Sequence, residues 1–341
     1  MITMIIIFVL FAAVAAALFL VNRLALGKWM HSPLPPGHLV INGNGRWYVT
    51  VKGKGRFAVV IESRLGGPSP EWWPIQDALA GYARVVSYDR AGYGWSDPPV
   101  KSRTSIEVAR ELHAVLQSAN VPGPYILVGH SQGGLYVQHF ARLFSDEVAG
   151  CVFLDPLSTQ DDRFARELDP RVYRGSGVDK RPAIRMTETL CKLGLLPLLK
   201  PLLIKSPPFY YYKNLPQVVM EIIWRHHLRP ELYSTSLAEY EETHQPANTQ
   251  QLMEHEFPNI PVAVLYHNAE IIIEEIIKYG GLSCEEAQQV ESLWENLTRS
   301  YLELAVNSKW IVAEDSGHFI PLDQPELVVS TIKEMLMALD H

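Results

Sequence analysis

The sequence predicts an α/β protein: a mostly parallel β-sheet covered by helices on both faces and interrupted by one helical insertion. Three observations carry this. Short apolar runs, FAVVIES, ARVVSYDR, PYILVGHS and AGCVFLDP, alternate with helix-compatible segments. Continuous apolarity is what strands buried on both faces require, whereas a half-solvated strand alternates. The alternation stops near residue 157 and resumes near 257, leaving a long stretch with many prolines and no clean strand. Finally, LVGHSQGGLYVQHFA joins a strand to a helix through a turn so tight that glycines are needed on both sides of a serine.

Each element follows in order. Residues 2–21, ITMIIIFVLFAAVAAALFLV, carry no charge, and twenty helical residues span about 30 Å, the thickness of a bilayer core. No Lys or Arg precedes this run, which argues for a retained anchor over a secretory signal, although Ala25 and Gly27 leave signal cleavage and secretion as the alternative. The nearest basic residues, Arg23 and Lys28, follow the segment and put the rest of the chain on the cytoplasmic side by the positive-inside rule. HSPLPPG reads as a linker, and HLVING with GRWYVTV as a strand pair turning at Asn42 to Gly45. Thr104 and Glu107 cap a helix over 104–117 whose Ile106, Ala109, Leu112 and Leu116 share a face. PVAVLYH is the next strand. A helix capped at Ser283 with Glu286 follows, then the strand KWIVAEDSGHF and a last helix opened by Pro325. The organisation is an anchor and flank over 1–30, a first core part over 31–156, an insertion over 157–256 and a second core part over 257–341.

Bulk properties narrow the function. With 20% charged and 48% hydrophobic residues the chain is globular, and 341 residues can bury a sizeable core. A net charge of -7 without a basic run excludes nucleic acid as an expected partner. Cys151, Cys191 and Cys284 are odd in number, far apart and without a C-x-x-C, so neither a disulfide framework nor a zinc site is expected. Cys151, inside GCVFLD, reads as a small buried hydrophobe. His226 and His227 read as a polar surface pair and not as metal ligands. No phosphate-cradling loop or dinucleotide fingerprint follows a strand, so no cofactor is implied.

A serine hydroxyl is a weak nucleophile until a base takes its proton, and the base needs an orienting carboxylate. Ser131 in GHSQGG is the candidate nucleophile. Of the 12 histidines, His318 in EDSGHFIPLDQPE stands out because it follows the last strand and Gly317 lets its loop approach closely. His130 sits on the turn itself. From residue 38 onward the chain resembles the α/β-hydrolase superfamily, in its cap-bearing branch. The residues that carry the resemblance are GHSQGG, the loop DRAGYGWSD after a strand, and SGHFIPLDQPE. The resemblance implies an α/β-hydrolase fold with a helical cap, Ser131 as nucleophile and His318 as general base. It also implies an oxyanion hole from the backbone N–H groups of Gln132 and, by matching glycines in SRLGG, Leu65. Arg64 in that loop is a candidate for binding an anionic substrate group, against the plainer reading of a solvated loop arginine.

Two residues compete for the acid. Counting along PVAVLYHNAE from Pro261, the superfamily's usual position falls on Glu270; Asp155, ending CVFLD, is the rival, since some relatives place the acid there. Asp89 and Arg90 of DRAGYGWSD are expected to fix a loop and not to do chemistry. A serine at the nucleophile position disfavours epoxide hydrolase and haloalkane dehalogenase chemistry, which needs a carboxylate there. The expected activity is hydrolysis of an ester or related acyl bond of a hydrophobic small molecule. Its acyl pocket would be lined by the insertion's LLPLLKPLLIKSPPFYYY. The alternatives are a peptidase of the prolyl-iminopeptidase kind and a non-catalytic ligand-binding member of the fold. The peptidase would need cap carboxylates for a free amine, and Glu239, Glu241 and Glu242 read more simply as a solvated helix face.

Overall fold

The computed structural model describes residues 2–30, 36–43, 45–205, 207–245, 251–252 and 254–340. Residues 31–35 of the expected linker and Asn44 of the expected turn lie outside them. Eight strands form one sheet: β1 (His38–Asn42), β2 (Gly45–Lys52), β3 (Ala58–Glu62), β4 (Arg84–Tyr88), β5 (Tyr125–His130), β6 (Val148–Leu154), β7 (Val262–His267) and β8 (Ser308–Ala313). Their order is β1-β2-β4-β3-β5-β6-β7-β8. The first two strands are antiparallel to their neighbours, Val40 lying opposite Trp47 and Val49 opposite Tyr88. From β4 through β8 all pairings are parallel.

The apolar runs alternate their side chains between two cores, as a pleated strand must. Ala58 and Val60 of β3, with Tyr125 and Leu127 of β5, pack under α3 (Ser105–Ser118) and α4 (Gln132–Leu143). Val59 and Ile61, with Ile126 and Val128, face the opposite side, against Trp72, Ile75 of α2 (Trp73–Leu79) and the C-terminal helix Pro325–Leu339. Each fully buried aliphatic side chain stabilises this arrangement by about 1.5 to 3 kcal/mol. Two caps read from the sequence are present: Thr104 Oγ1 accepts from the Glu107 amide, and Ser283 with Glu286 makes a reciprocal capping box. Cys151 is buried in the first core.

Because β5 to β8 are parallel, the residues following each strand emerge along one edge of the sheet. Ser131 follows β5, Asp155 follows β6, Asn268 follows β7, and the loop to His318 follows β8. Residues 187 positions apart in the sequence, Ser131 and His318, are thereby brought into hydrogen-bond range.

Between β6 and β7 the described chain forms helices: α5 (Arg163–Glu167), α6 (Pro170–Gly175), α7 (Arg181–Lys192), α8 (Lys200–Leu203), α9 (Gln217–His227) and α10 (Pro230–Thr243), with short 3-10 turns between some of them. Two expectations about this region are overturned. His226 and His227, expected at the surface, are buried. His226 packs edge-on against Trp95 at 4.4 Å, and Tyr233 Oη donates to the His227 carbonyl at 2.8 Å. Burial holds both imidazoles neutral, His227 down to about 3. Glu239, expected on a solvated face, is also buried. Its Oε2 accepts from Arg90 Nη2 at 3.1 Å and Tyr93 Oη at 2.6 Å, and its Oε1 from Arg103 Nη2 at 2.9 Å. Arg90 in turn donates to Glu62 at 2.5 Å and to the Ser63 carbonyl at 2.7 Å. The loop DRAGYGWSD thus ties α10 to the end of β3.

Residues Ile2–Met30 form a single helix, α1, whose Ile2–Val21 part has a mean hydropathy of 3.2 and is long and apolar enough to cross a membrane. Its backbone passes against the insertion at Gly194, where a Cβ would lie 2.6 Å from Phe19 Cα.

Candidate active site

The serine turn is built by exclusion. Ser131 has φ 55 and ψ -123, a left-handed conformation that costs a non-glycine residue energy. It is held there by its own backbone: Ser131 N donates to the Leu154 carbonyl at 3.0 Å, and its carbonyl accepts from Gly134 and Leu157, both at 2.9 Å. The flanking glycines are required by space. A Cβ on Gly129 would lie 2.7 Å from the Gly133 carbonyl oxygen, and one on Gly133 only 2.4 Å from the Glu62 carbonyl oxygen. The turn lifts Ser131 Oγ off the sheet edge at the start of α4.

His318 Nε2 lies 3.0 Å from Ser131 Oγ, so the serine hydroxyl donates to it, and its Nδ1–H donates to Asp155 Oδ2 at 2.5 Å. The ring sits beside Trp294, with centroids 5.6 Å apart. His130 fixes the loop from below, its Nε2–H donating to the His318 carbonyl at 2.8 Å, and burial keeps His130 far below the ordinary histidine range.

Asp155 is fully buried and, like Ser131, has a positive φ, 42. Burial alone would raise its pKa, but His267 and His318 outweigh that and hold it well below the usual carboxylate range. Glu270 does not meet His318. It is exposed, one residue into the helix Ala269–Gly280, and its amide is capped by Asn268 Oδ1 at 2.8 Å. The nine-residue count from Pro261 therefore ends on a helix start, and β6, not β7, carries the carboxylate that faces the imidazole. The sequence held one signal for this: an aspartate directly ending a fully apolar strand.

Two further groups escaped the sequence reading. His267, the last residue of β7, is buried; its Nδ1 lies 2.8 Å from the same Asp155 Oδ2 and its Nε2 lies 3.0 Å from Glu291 Oε1. Glu291 lies on the helix Cys284–Arg299, on a face otherwise formed by Val290, Leu293 and Leu297, and also accepts from Tyr266 Oη. A histidine terminating a buried strand, and a glutamate within an apolar helix stripe, were the available signals.

Leu65 and Gln132 border the cleft over Ser131. Among the described residues neither backbone N–H has an acceptor in the protein, so both are available to an oxyanion formed at the serine. Arg64 does not reach toward a substrate. Its Nη2 donates to Glu71 and to Tyr212 Oη, both at 2.6 Å, and its Nη1 to the Leu65 carbonyl at 2.9 Å. The guanidinium, neither solvated nor free, braces the loop carrying Leu65 and links it to the insertion.

The cleft is open to solvent on one side, and its space, counted with that open part, is about 630 Å³. Apolar walls come from Leu157, Phe164, Val178, Trp294 and Leu297, and polar groups from Lys180 and the His244–Asp161 pair, bonded at 2.7 Å. None of the described residues of the stretch LLPLLKPLLIKSPPFYYY is part of this lining. Tyr211 and Tyr212 pack with Trp73 and Trp95 in an apolar cluster between the insertion and the sheet-bearing part, while Leu198 (57%) and Leu202 (67%) are exposed. Among the described residues no cluster of His, Cys, Asp and Glu is arranged to hold a metal ion.

The arrangement is chemically suited to acyl transfer: a hydroxyl poised to lose its proton to an imidazole, a buried carboxylate behind it, and two amide donors in front. Comparisons with known proteins agree on the scaffold. A model of the alpha/beta hydrolase family matches residues 12–331. An uncharacterized Bacillus subtilis protein, YqjL, is 23% identical over 287 residues, covering 84% of this chain and 86% of that protein. Among solved structures, a thermophilic esterase from Thermogutta terrifontis superposes with a TM-score of 0.59 at 20% identity, over 89% of this chain and 99% of that one. The Cif epoxide hydrolase from Acinetobacter nosocomialis gives 0.66 at 13% identity, over 95% and 96%. With its parallel sheet, its serine turn after β5 and a family match along nearly its whole length, the chain belongs to the alpha/beta hydrolase family.

Proposed function

We propose that the protein is a serine hydrolase that cleaves an ester or related acyl bond of a hydrophobic small molecule through an acyl-enzyme on Ser131. The observation that carries this is the hydrogen-bonded chain from Ser131 Oγ through His318 to Asp155 Oδ2. His318 takes the serine proton as Oγ attacks the carbonyl carbon, then returns it to the leaving oxygen. The same imidazole next activates water to release the acid. Asp155 keeps the proton on Nδ1 and offsets the charge that forms on the ring. The developing oxyanion meets the amides of Leu65 and Gln132. The acyl group meets Leu157, Phe164, Trp294 and Leu297.

Ser131 at the nucleophile position argues against epoxide opening, which needs a carboxylate to form the alkyl ester. The buried pairing of Glu239 with Arg90 and Arg103 removes the strongest cap carboxylate from any free-amine site, which argues against an aminopeptidase. Ile2–Val21 serves as a membrane anchor, the catalytic body being a helical cap over residues 157–256 set on a core of 31–156 and 257–341. The exposed Leu198 and Leu202, on the same insertion that α1 touches, fit a face resting at the bilayer surface.

The test is labelling of the membrane fraction with a fluorophosphonate probe, followed by kcat/KM on p-nitrophenyl esters from acetate to decanoate. Labelling at Ser131 with a preference for longer chains is expected. An unlabelled, folded protein would overturn the enzyme reading in favour of a binding protein. Release of the anchor by carbonate, or a mature N-terminus near His31 in the medium, would overturn the anchor reading.

A further inference from the structure

Asp155 is held in an unusual way. Its Oδ1 is buried and accepts no hydrogen bond among the described residues, so its anchoring falls on Oδ2. That one oxygen receives two imidazoles, His318 Nδ1 at 2.5 Å and His267 Nδ1 at 2.8 Å. His267 has a second carboxylate at its other end, with Nε2 3.0 and 3.1 Å from the two oxygens of Glu291. Both ring nitrogens thus face carboxyl oxygens, and where both carboxyls are ionised each contact needs a proton on nitrogen. An imidazole meets both demands only as the imidazolium.

We infer that His267 is a positioning residue for the proposed ester hydrolysis: a permanently protonated second histidine, clamped by Glu291, that fixes Asp155 and partly neutralises its charge as felt by His318. The inference rests on the serine hydrolase reading above. The groups facing His267 are Asp155 from the end of β6, Glu291 from the helix Cys284–Arg299, and its neighbour Tyr266, whose hydroxyl binds Glu291. The Trp294 ring closes the remaining side at 5.2 Å, edge-on, and carries no charge. His318, which reaches the same oxygen from after β8, is flanked by Asp155, Ser131 and the neutral His130. Burial would depress His267, yet the two carboxylates outweigh it and lift the ring to about 10.

A carboxylate carrying one imidazolium pulls less strongly on a second. Because both rings share Asp155 Oδ2, the charge on His267 weakens the hold of Asp155 on a positive charge at the catalytic ring, which extends activity toward acid. Two replacements separate charge from shape. His267→Gln removes the positive charge, so the acid limb of the log kcat/KM profile moves upward by about one pH unit. Glu291→Gln is nearly isosteric, removes a negative charge, and leaves that limb in place or moves it down. A merely structural His267 would lower turnover in both variants without moving either limb.

A second readout does not depend on turnover. In 15N-histidine spectra of the full chain in detergent micelles, one histidine should keep both ring protons up to about pH 9, well past the ordinary range. That signal should vanish in His267→Gln and lose its second proton at lower pH in Glu291→Gln. If no histidine in the parent stays doubly protonated above pH 8, or if a folded His267→Gln shows an unmoved acid limb, the inference is overturned. Failure of the parent to label with fluorophosphonate would instead overturn the hydrolase reading, and the spectra would still decide the state of His267.

Discussion

Two of the buried charge clusters among the described residues are made of different bases. One runs Ser131, His318, Asp155, His267, Glu291; its basic members are imidazoles. The other joins Glu62, Arg90, Glu239, Arg103 and Glu111; its cations are guanidiniums. Imidazole titrates near neutral pH and can hand a proton to a neighbour, whereas guanidinium keeps its charge at any accessible pH and presents a rigid fork. In the second cluster Arg90 and Arg103 overcome the burial of Glu239 and hold it below the usual carboxylate range, so the cluster stays fixed. The first is suited to moving protons, and the second to clamping α10 onto the sheet.

The largest effects are expected in the imidazole cluster and are catalytic. Ser131→Ala should lose roughly 10⁴ to 10⁶ in kcat against model esters, with unchanged thermal unfolding. Asp155→Asn should follow at roughly 10³ to 10⁴, since an amide no longer enforces the productive tautomer of His318. Glu270→Gln, at the exposed helix start, should stay within about twofold of the parent, as surface changes do. The three are compared at equal folded fraction by esterase assay and circular dichroism. A large loss in Glu270→Gln with little in Asp155→Asn would reverse the assignment of the acid.

The guanidinium cluster should respond in stability instead. Glu239→Ala leaves Arg90 and Arg103 short of a shared acceptor in a dry site, a change that costs about 3 to 5 kcal/mol. Thermal unfolding should show it as a lowered Tm, while the fraction still folded keeps its fluorophosphonate labelling. A variant that unfolds like the parent but no longer labels would merge the two clusters into one functional unit.

The sequence was read most successfully where one local pattern forces one local structure. The glycine-flanked serine, the apolar runs and the caps at Thr104 and Ser283 all belong to this kind. The serine turn is legible because Gly129 and Gly133 admit no side chain, and the sheet because strands buried on both faces must be apolar throughout. The acid was not legible, because the chain offers a carboxylate after both β6 and β7 and only the folded register decides which one faces His318. The insertion was least legible. Its charged residues look solvated one helix at a time, and Glu239, like Arg64 in the loop after β3, is buried because a partner from a distant segment arrives to pair with it. His267 is not legible because a lone histidine carries no spacing signal; its meaning lies in two carboxylates 112 and 24 positions away.

The smallest effect separates the clusters by pH. His267 is lifted in the folded state from 6.5 to about 10. A raised group contributes stability that is fully present below its unfolded value and is lost as pH rises through its folded one. The His267 contribution is therefore complete near pH 6.5 and fades toward about pH 10. His244, raised by Asp161 against the pull of burial, adds to the slope of the parent, but it is common to parent and variant and cancels in their difference. The Tm gap between the parent and His267→Gln should thus narrow steadily across that window. Glu239 behaves oppositely. Its depressed pKa gives stability that is present above the unfolded value of 4.5 and lost only as pH falls through the folded one. The Tm gap for Glu239→Gln should accordingly stay constant from pH 6.5 to about 10. Thermal unfolding at several pH values in that interval measures both. A His267→Gln gap that does not change with pH would mean that the ring is neutral in the folded protein, and the two clusters would then differ in shape but not in kind.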